Sequence, residues 1–184
     1  MRDLRTAGGR VLEADAFTGF FDEHYAAVLQ YGMRRVDAET ARDVAAETFL
    51  VAWRRLDAVP DVPRVWLLAV ARRVLANELR RQGRQDRLTE RVGQSVHTLQ
   101  TDQDHASAVA ETSAVAGAMA ALSDRDRELL QLIGWEGLDQ RAAAQVLGCS
   151  VTALKVRLHR ARRRLLTALE AQHDRLVPQT VRDM

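Results

Sequence analysis

Val146-Leu147-Gly148-Cys149-Ser150-Val151-Thr152-Ala153-Leu154-Lys155-Val156-Arg157-Leu158-His159-Arg160 sets a helix end, a short turn and a helix start side by side. Gly148 suits the left-handed position that closes a helix, and the Ser150 hydroxyl suits the N-cap of the next one. With a short helix expected over Leu138 to Leu147, the spacing is that of a helix-turn-helix. In the second helix Val151, Leu154, Leu158, Ala161 and Leu165 form one apolar stripe for packing. At about 100° per residue, Thr152, Val156, His159, Arg160 and Arg163 lie opposite, with Lys155 and Arg162 on one flank and Arg157 and Arg164 on the other. Such a face fits a DNA groove: Thr152, Val156, His159 and Arg160 are the candidates for base edges, and Lys155, Arg157 and Arg162 to Arg164 those for phosphates. Val156, apolar on a polar face, matches a thymine methyl group. A coiled-coil seam would explain the stripe but not the capped turn before it. His159 and Cys149 are expected as ordinary surface and small buried residues, not ligands.

Upstream, Ser123 and Asp126 read as an S-x-x-D capping box ahead of Leu129, Leu130, Leu132 and Ile133, and a helix-forming stretch begins near Ala106. Gln82 to about Asp104 is polar, with too few large apolar groups to offset ordering, and reads as an interdomain linker. Pro60 and Pro63 mark a short loop from Ala58 to Arg64, between a helix ending near Leu56 and one starting near Arg64. Apolar residues recur at helical spacing nearly everywhere else, without sustained strand-type alternation, so the fold class is all-α: two small helical domains joined by a flexible linker.

In the N-terminal half, the helix Arg42 to Arg55 puts Asp43, Ala46, Glu47, Leu50, Trp53 and Arg54 on one side and Val44, Thr48, Val51 and Arg55 on another. One side must meet the core. The acidic one with Trp53 would suit a basic partner, though the same tryptophan fits a core position. In the helix from Arg64 to Arg81, Leu67, Val70, Ala71, Val74 and Leu75 gather on one side, and Trp66, Arg73, Asn77 and Arg80 share the other. A tryptophan among arginines can stack on unpaired bases and hold phosphates, or it can pack against the preceding loop.

The charge balance, 27 basic and 25 acidic residues, does not by itself argue for a nucleic-acid partner, but its distribution does. Acids predominate from Leu12 to Leu50, and arginines from Arg54 to Arg91 and again from Val151 to Arg175. Lys155 is the one lysine; the arginine fork suits phosphate and guanine edges. A single cysteine excludes an intramolecular disulfide and a cysteine-rich zinc site. No carboxylate pair, metal-ligand cluster or glycine-rich phosphate loop stands out, so neither an enzyme, a cofactor nor a metal is expected. No segment is apolar enough for membrane insertion and no signal-peptide core is visible, so a cytoplasmic protein is expected.

Phe17 to Phe21 with His24-Tyr25, Asp43-Val44-Ala45-Ala46-Glu47-Thr48-Phe49 through Trp53-Arg54, and Arg64-Val65-Trp66-Leu67 through Ala71-Arg72 to Arg81 together resemble the promoter-melting domain of extracytoplasmic-function (ECF) RNA polymerase sigma factors, in the sigma-70 family. Leu122 to Glu128, Gly137-Leu138, and Val146 to Val151 leading into Lys155-Val156-Arg157 resemble that family's helix-turn-helix domain. The resemblance implies an N-terminal extension (1–16), sigma region 2 (17–82), a linker (83–105), sigma region 4 (106–170) and a tail (171–184). It implies a dissociable, non-catalytic subunit that binds core RNA polymerase, through the clamp helices of the largest subunit and the flap, and promoter DNA, with a cognate anti-sigma factor as a further partner. Polymerase binding would fall on Asp43, Ala46, Glu47, Leu50 and Trp53. The minus-ten element would be met by Asp61, Arg64, Trp66, Arg73, Asn77 and Arg80, and the minus-thirty-five element by Thr152, Lys155, Val156, Arg157, His159, Arg160 and Arg163. The alternative is a helix-turn-helix regulator of response or quorum type that acts without polymerase.

Overall fold

A computed structural model describes the backbone of residues 4–90 and 109–176, and the side chains within 17–85 (Asp57 apart) and 114–172. All regular elements among the described residues are helices, and the chain divides into two compact units, Met1–Asp102 and Gln103–Met184.

The first unit holds α1 (Leu4–Met33), α2 (Ala38–Arg54), a single 3-10 turn (Leu56–Ala58) and α3 (Pro63–Glu90). The core face of α2 is Ala41, Val44, Ala45, Thr48, Phe49 and Ala52. Thr48 is tolerated there because its hydroxyl donates to the Val44 carbonyl at 2.7 Å. Phe49 joins α2 to α1 through a ring cluster, lying 4.7 Å from Phe21, 6.0 Å from Phe20 and 6.1 Å from Tyr25 between centroids. Where the two helices meet at their connection, Gly32 lets them approach so closely that an added Cβ would sit 3.0 Å from that of Ala41. From α3 the core takes Leu67, Leu68, Val70, Ala71 and Leu75. Pro63 opens that helix, where its missing N–H is of no consequence. The helix then runs to Glu90, through the first residues of the segment expected as linker. Gln82 to Glu90 is polar, but its arginines, glutamines, Leu88 and Glu90 favour helix enough to outweigh Gly83, Asp86 and Thr89, so polarity there does not mean coil. Residues 91–108 lie outside the described residues, and with them the rest of the expected linker.

The second unit holds α4 (Val109–Ala120), α5 (Asp124–Gly134), α6 (Gln140–Leu147) and α7 (Val151–Leu176). Leu129 and Leu132 of α5, Ala143, Ala144 and Val146 of α6, and Leu154, Leu158 and Ala161 of α7 form its core. Ser123 caps α5 through the Asp126 N–H at 3.3 Å, but the second half of the expected capping box is not made: the Asp126 carboxylate is buried and turns to Arg164. A charged partner satisfies a buried carboxylate better than the backbone N–H of the cap. Arg127 binds the α4 end, donating to the carbonyls of Met119, Ala120 and Leu122 at 2.9–3.0 Å. Leu138 is buried but precedes α6, which starts only after Asp139, whose carboxylate accepts from the Ala142 N–H at 2.7 Å.

The start of α2 depends on Asp37, which accepts from the N–H groups of Glu39 and Thr40 and from the Thr40 hydroxyl. These bonds, the Thr40 N–H foremost, hold its carboxyl below the usual carboxylate range. A depressed pKa means stabilisation that is complete at neutral pH and fades as pH falls through the lowered value. Asp37→Ala is therefore expected to cost about 1 kcal/mol at pH 7, with the deficit closing in acid; urea unfolding across a pH series measures both.

Candidate nucleic-acid and polymerase interfaces

The helix-turn-helix is closed by bonds that its sequence dictates. Gly148 adopts φ 66° and ψ 39°, its N–H reaching the Gln145 carbonyl at 3.2 Å while the Cys149 N–H reaches that of Ala144 at 3.0 Å. This pair of bonds ends α6 in a Schellman closure. Two residues later the Ser150 hydroxyl accepts from the Ala153 N–H at 3.2 Å and opens α7. With Leu154, Leu158 and Ala161 buried, Thr152, Lys155, Val156, His159, Arg160 and Arg163 are exposed, and Arg157 is half-buried at the flank. Val156 is 48% exposed with no apolar neighbour needed for its own unit, so an apolar side chain stands in the middle of a polar face. Arg164, expected at phosphates, forms an ion pair with Asp126 at 2.5 Å. The signal for this was invisible locally, since its partner lies 38 positions away.

In the first unit the core face of α2 leaves Asp43, Ala46, Glu47, Leu50, Trp53 and Arg54 exposed. Trp53 is neither core nor bare: its ring meets Phe17 edge-on at 4.9 Å and it remains 39% exposed. A groove of about 960 Å³ runs between α2 and α3. Asp43, Ala46, Glu47 and Leu50 line it from α2, and Trp66, Arg73 and Asn77 from α3. Trp66 thus faces α2 across the groove as well as standing beside arginines, and it is half-buried. Trp53, Asp61, Arg64 and Arg80 are outside the lining; Asp61 and Arg64 are exposed around the start of α3.

Arg80 is braced along its own helix, with Nη2 donating to Asn77 Oδ1 at 2.6 Å and Nε to the Ala76 carbonyl at 3.0 Å. Arg81 forms a two-pronged pair with Glu78, both bonds 2.8 Å, which holds the Glu78 carboxyl below its usual range. Asp43 and Glu47 line the α2 wall, with Arg55 just past its end, and Arg73, Arg81 and Arg84 outnumber Glu78 on the α3 wall, so the two walls differ in sign of net charge. Arg81 and Arg84 are not among the site residues expected from the sequence, although their alignment with Arg73 and Asn77 at three- and four-residue steps along α3 is visible there. Val62, in the loop before α3, is 73% exposed, and Trp135, which carries no sequence expectation, stands 47% exposed in the turn before α6. Among the described residues no group of histidine, cysteine or carboxylate side chains could hold a metal, and no helix is long and apolar enough to cross a membrane.

The two units match two family models: residues 20–85 the one for Sigma-70 region 2, and residues 113–165 the one for Sigma-70, region 4. The ECF RNA polymerase sigma factor SigL of Mycobacterium tuberculosis is 32% identical over 170 residues, spanning 90% of this chain and 96% of SigL. CnrH, an RNA polymerase sigma factor of Cupriavidus metallidurans, has been solved in complex with the cytosolic domain of CnrY. It superposes with a TM-score of 0.60 at 28% identity, covering 88% of this chain and 97% of that one. The sigma factor RpoE from Bartonella quintana, solved with the anti-sigma factor NepR, shares the fold with a TM-score of 0.63 at 24% identity, over 84% and 97% of the two chains.

Gly148→Ala puts a Cβ in the left-handed region without any clash in space, so the expected loss is backbone strain alone, about 1–2 kcal/mol. Thermal unfolding of the variant tests this.

Proposed function

Because the chain belongs to the sigma-70 family, as an ECF RNA polymerase sigma factor, we propose that its two units divide the work of an alternative sigma factor as follows. The protein directs transcription initiation. Residues 17–82 dock on core polymerase and open the minus-ten element, residues 106–170 read the minus-thirty-five element, and residues 83–105 connect them; 1–16 and 171–184 are given no role. The protein is not an enzyme and works in the cytoplasm. The observation that carries the division is the pairing of an exposed, mixed polar and apolar face on α7 with a groove of opposed charge between α2 and α3. A stand-alone helix-turn-helix regulator would account for α6 and α7 only, and the region 2 match over residues 20–85 sets that alternative aside.

At the duplex, α7 enters the major groove with Thr152, Val156, His159 and Arg160 at base edges and Lys155, Arg157 and Arg163 at phosphates. At the minus-ten element, Asp61 and Arg64 meet the strand near the α3 start, while Trp66, Arg73, Asn77 and Arg80 follow it along the helix, Trp66 stacking on an unpaired base. Asp43, Ala46, Glu47, Leu50 and Trp53 meet the clamp helices of the largest polymerase subunit, and the second unit meets the flap. RpoE of Bartonella quintana was solved with an anti-sigma factor, and a cognate anti-sigma factor is proposed here too, covering the polymerase-binding surface.

Transcription in vitro with core polymerase is expected to start at specific promoters only when this protein is added; no dependence would sink the proposal. Arg160→Ala is expected to weaken recognition at one minus-thirty-five position by about 1–3 kcal/mol, read by competition between promoter variants. Trp66→Ala should reduce permanganate reactivity of the minus-ten thymines more than it reduces closed-complex binding.

A further inference from the structure

Arg164 sits on α7 four residues beyond Arg160, one helical turn or about 6 Å past the proposed base-reading segment. Its side chain is 61% exposed, yet Nη1 is held at 2.5 Å by Asp126 Oδ2, whose side chain is only 9% exposed. The pair ties α7 to α5. The other contacts of α7 within the unit come from the buried Leu154, Leu158 and Ala161, the half-buried Leu165, Ala168 and Leu169, and Gln172, which lies beside Gly117 of α4. Apolar packing settles which face of α7 turns inward, but being non-directional it constrains a roll of about 20° less sharply than a bond does. A charge-assisted bond between two fixed groups is directional.

The anchor is rigid. Asp126 lies in the first turn of α5, its N–H on the Ser123 hydroxyl, and the adjacent Arg127 binds three carbonyls at the α4 end and the Asp124 carboxylate. Side-chain ends lie roughly 5–6 Å from a helix axis, so a roll of about 20° displaces them by about 2 Å. That exceeds the roughly 0.5 Å tolerance of a precise recognition site.

We propose that Arg164 is a positioning residue rather than a phosphate contact: paired with Asp126, it sets the roll of α7 and so the aim of Thr152, Val156, His159 and Arg160 at the minus-thirty-five bases. This rests on the proposed role of α7, and the test separates the two. Holoenzyme made from core polymerase and the full chain is bound to a promoter and to single-base minus-thirty-five variants over a range of salt. Arg164→Gln and Asp126→Asn are each expected to reduce discrimination between cognate and variant promoters by about three- to tenfold. The slope of log affinity against log salt is expected to stay at the wild-type value, because no phosphate contact is lost.

A purely structural role would weaken binding to all promoters alike and leave that ratio unchanged. Arg164→Lys should restore part of the ratio, and the double variant should be no worse than either single one. Full discrimination by Arg164→Gln with a slope reduced by about one marks a phosphate contact and overturns the proposal; so does any result in which both measures stay at wild type. Absence of minus-thirty-five discrimination in the wild-type holoenzyme would instead overturn the role given to α7. Arg164 is mostly exposed, so its substitution leaves the fold intact and carries the test alone if Asp126→Asn proves unstable.

Discussion

Both units depend on one constraint: each is a small packing of short helices, and every helix must give one face to a shared core. In α2 that face is Val44, Ala45, Thr48, Phe49 and Ala52. The 3.6-residue repeat then puts Asp43, Glu47 and Leu50 outside, with no further choice to be made. A rotation of α2 by one residue would bury Glu47 and expose Phe49, losing four ring contacts with α1 at once. The same relation governs α7, where Leu154, Leu158 and Ala161 take the core and Val156 and Arg160 are left to the outside. The outward faces are consequences of packing, and their chemistry is where the sequence departs from a merely solvated surface.

Helix ends are the second source of definition. Asp37, Ser123, Asp139 and Ser150 each accept a backbone N–H at the start of a helix, and Gly148 closes α6. Without these stops, runs of helix-forming residues such as Ala142-Ala143-Ala144 would not have a defined register relative to their neighbours. Arg127 extends the principle across a connection, satisfying carbonyls at the end of α4 from a position inside α5. The geometry of the turn between α6 and α7 is thereby set by backbone bonds as well as by the core.

What was legible in the sequence is what is decided within a few residues. The Gly148 turn, the Ser150 cap and the Leu154-Leu158-Ala161 stripe involve neighbours in the chain, and all are found. The α6 start was placed at Leu138 because that residue has the right apolar character, but its burial belongs to the turn and Asp139 makes the cap. The overrun of α3 past Gln82 is not legible in polarity, because a helix leaving a core needs good formers more than apolar ones. The position of Trp66 relative to Leu67 and Ala71 sets its face on α3, but that periodicity contains no information about Glu47, Leu50 and Val51 across the groove. Partners separated by tens of residues, as in Arg164 with Asp126, are settled only by the packing of whole helices.

The groove between α2 and α3 has a consequence for how such a chain can diverge. Residues proposed for polymerase docking and for strand binding share its two walls, so a change on either wall alters the electrostatic setting of the other. New minus-ten preferences must therefore arise under the restraint of an unchanged polymerase, and few substitutions will be neutral to both. The α7 face has no second tenant: its outward residues touch little of their own unit. Substitutions on that face can therefore change what α7 is proposed to read without disturbing the core of its own unit.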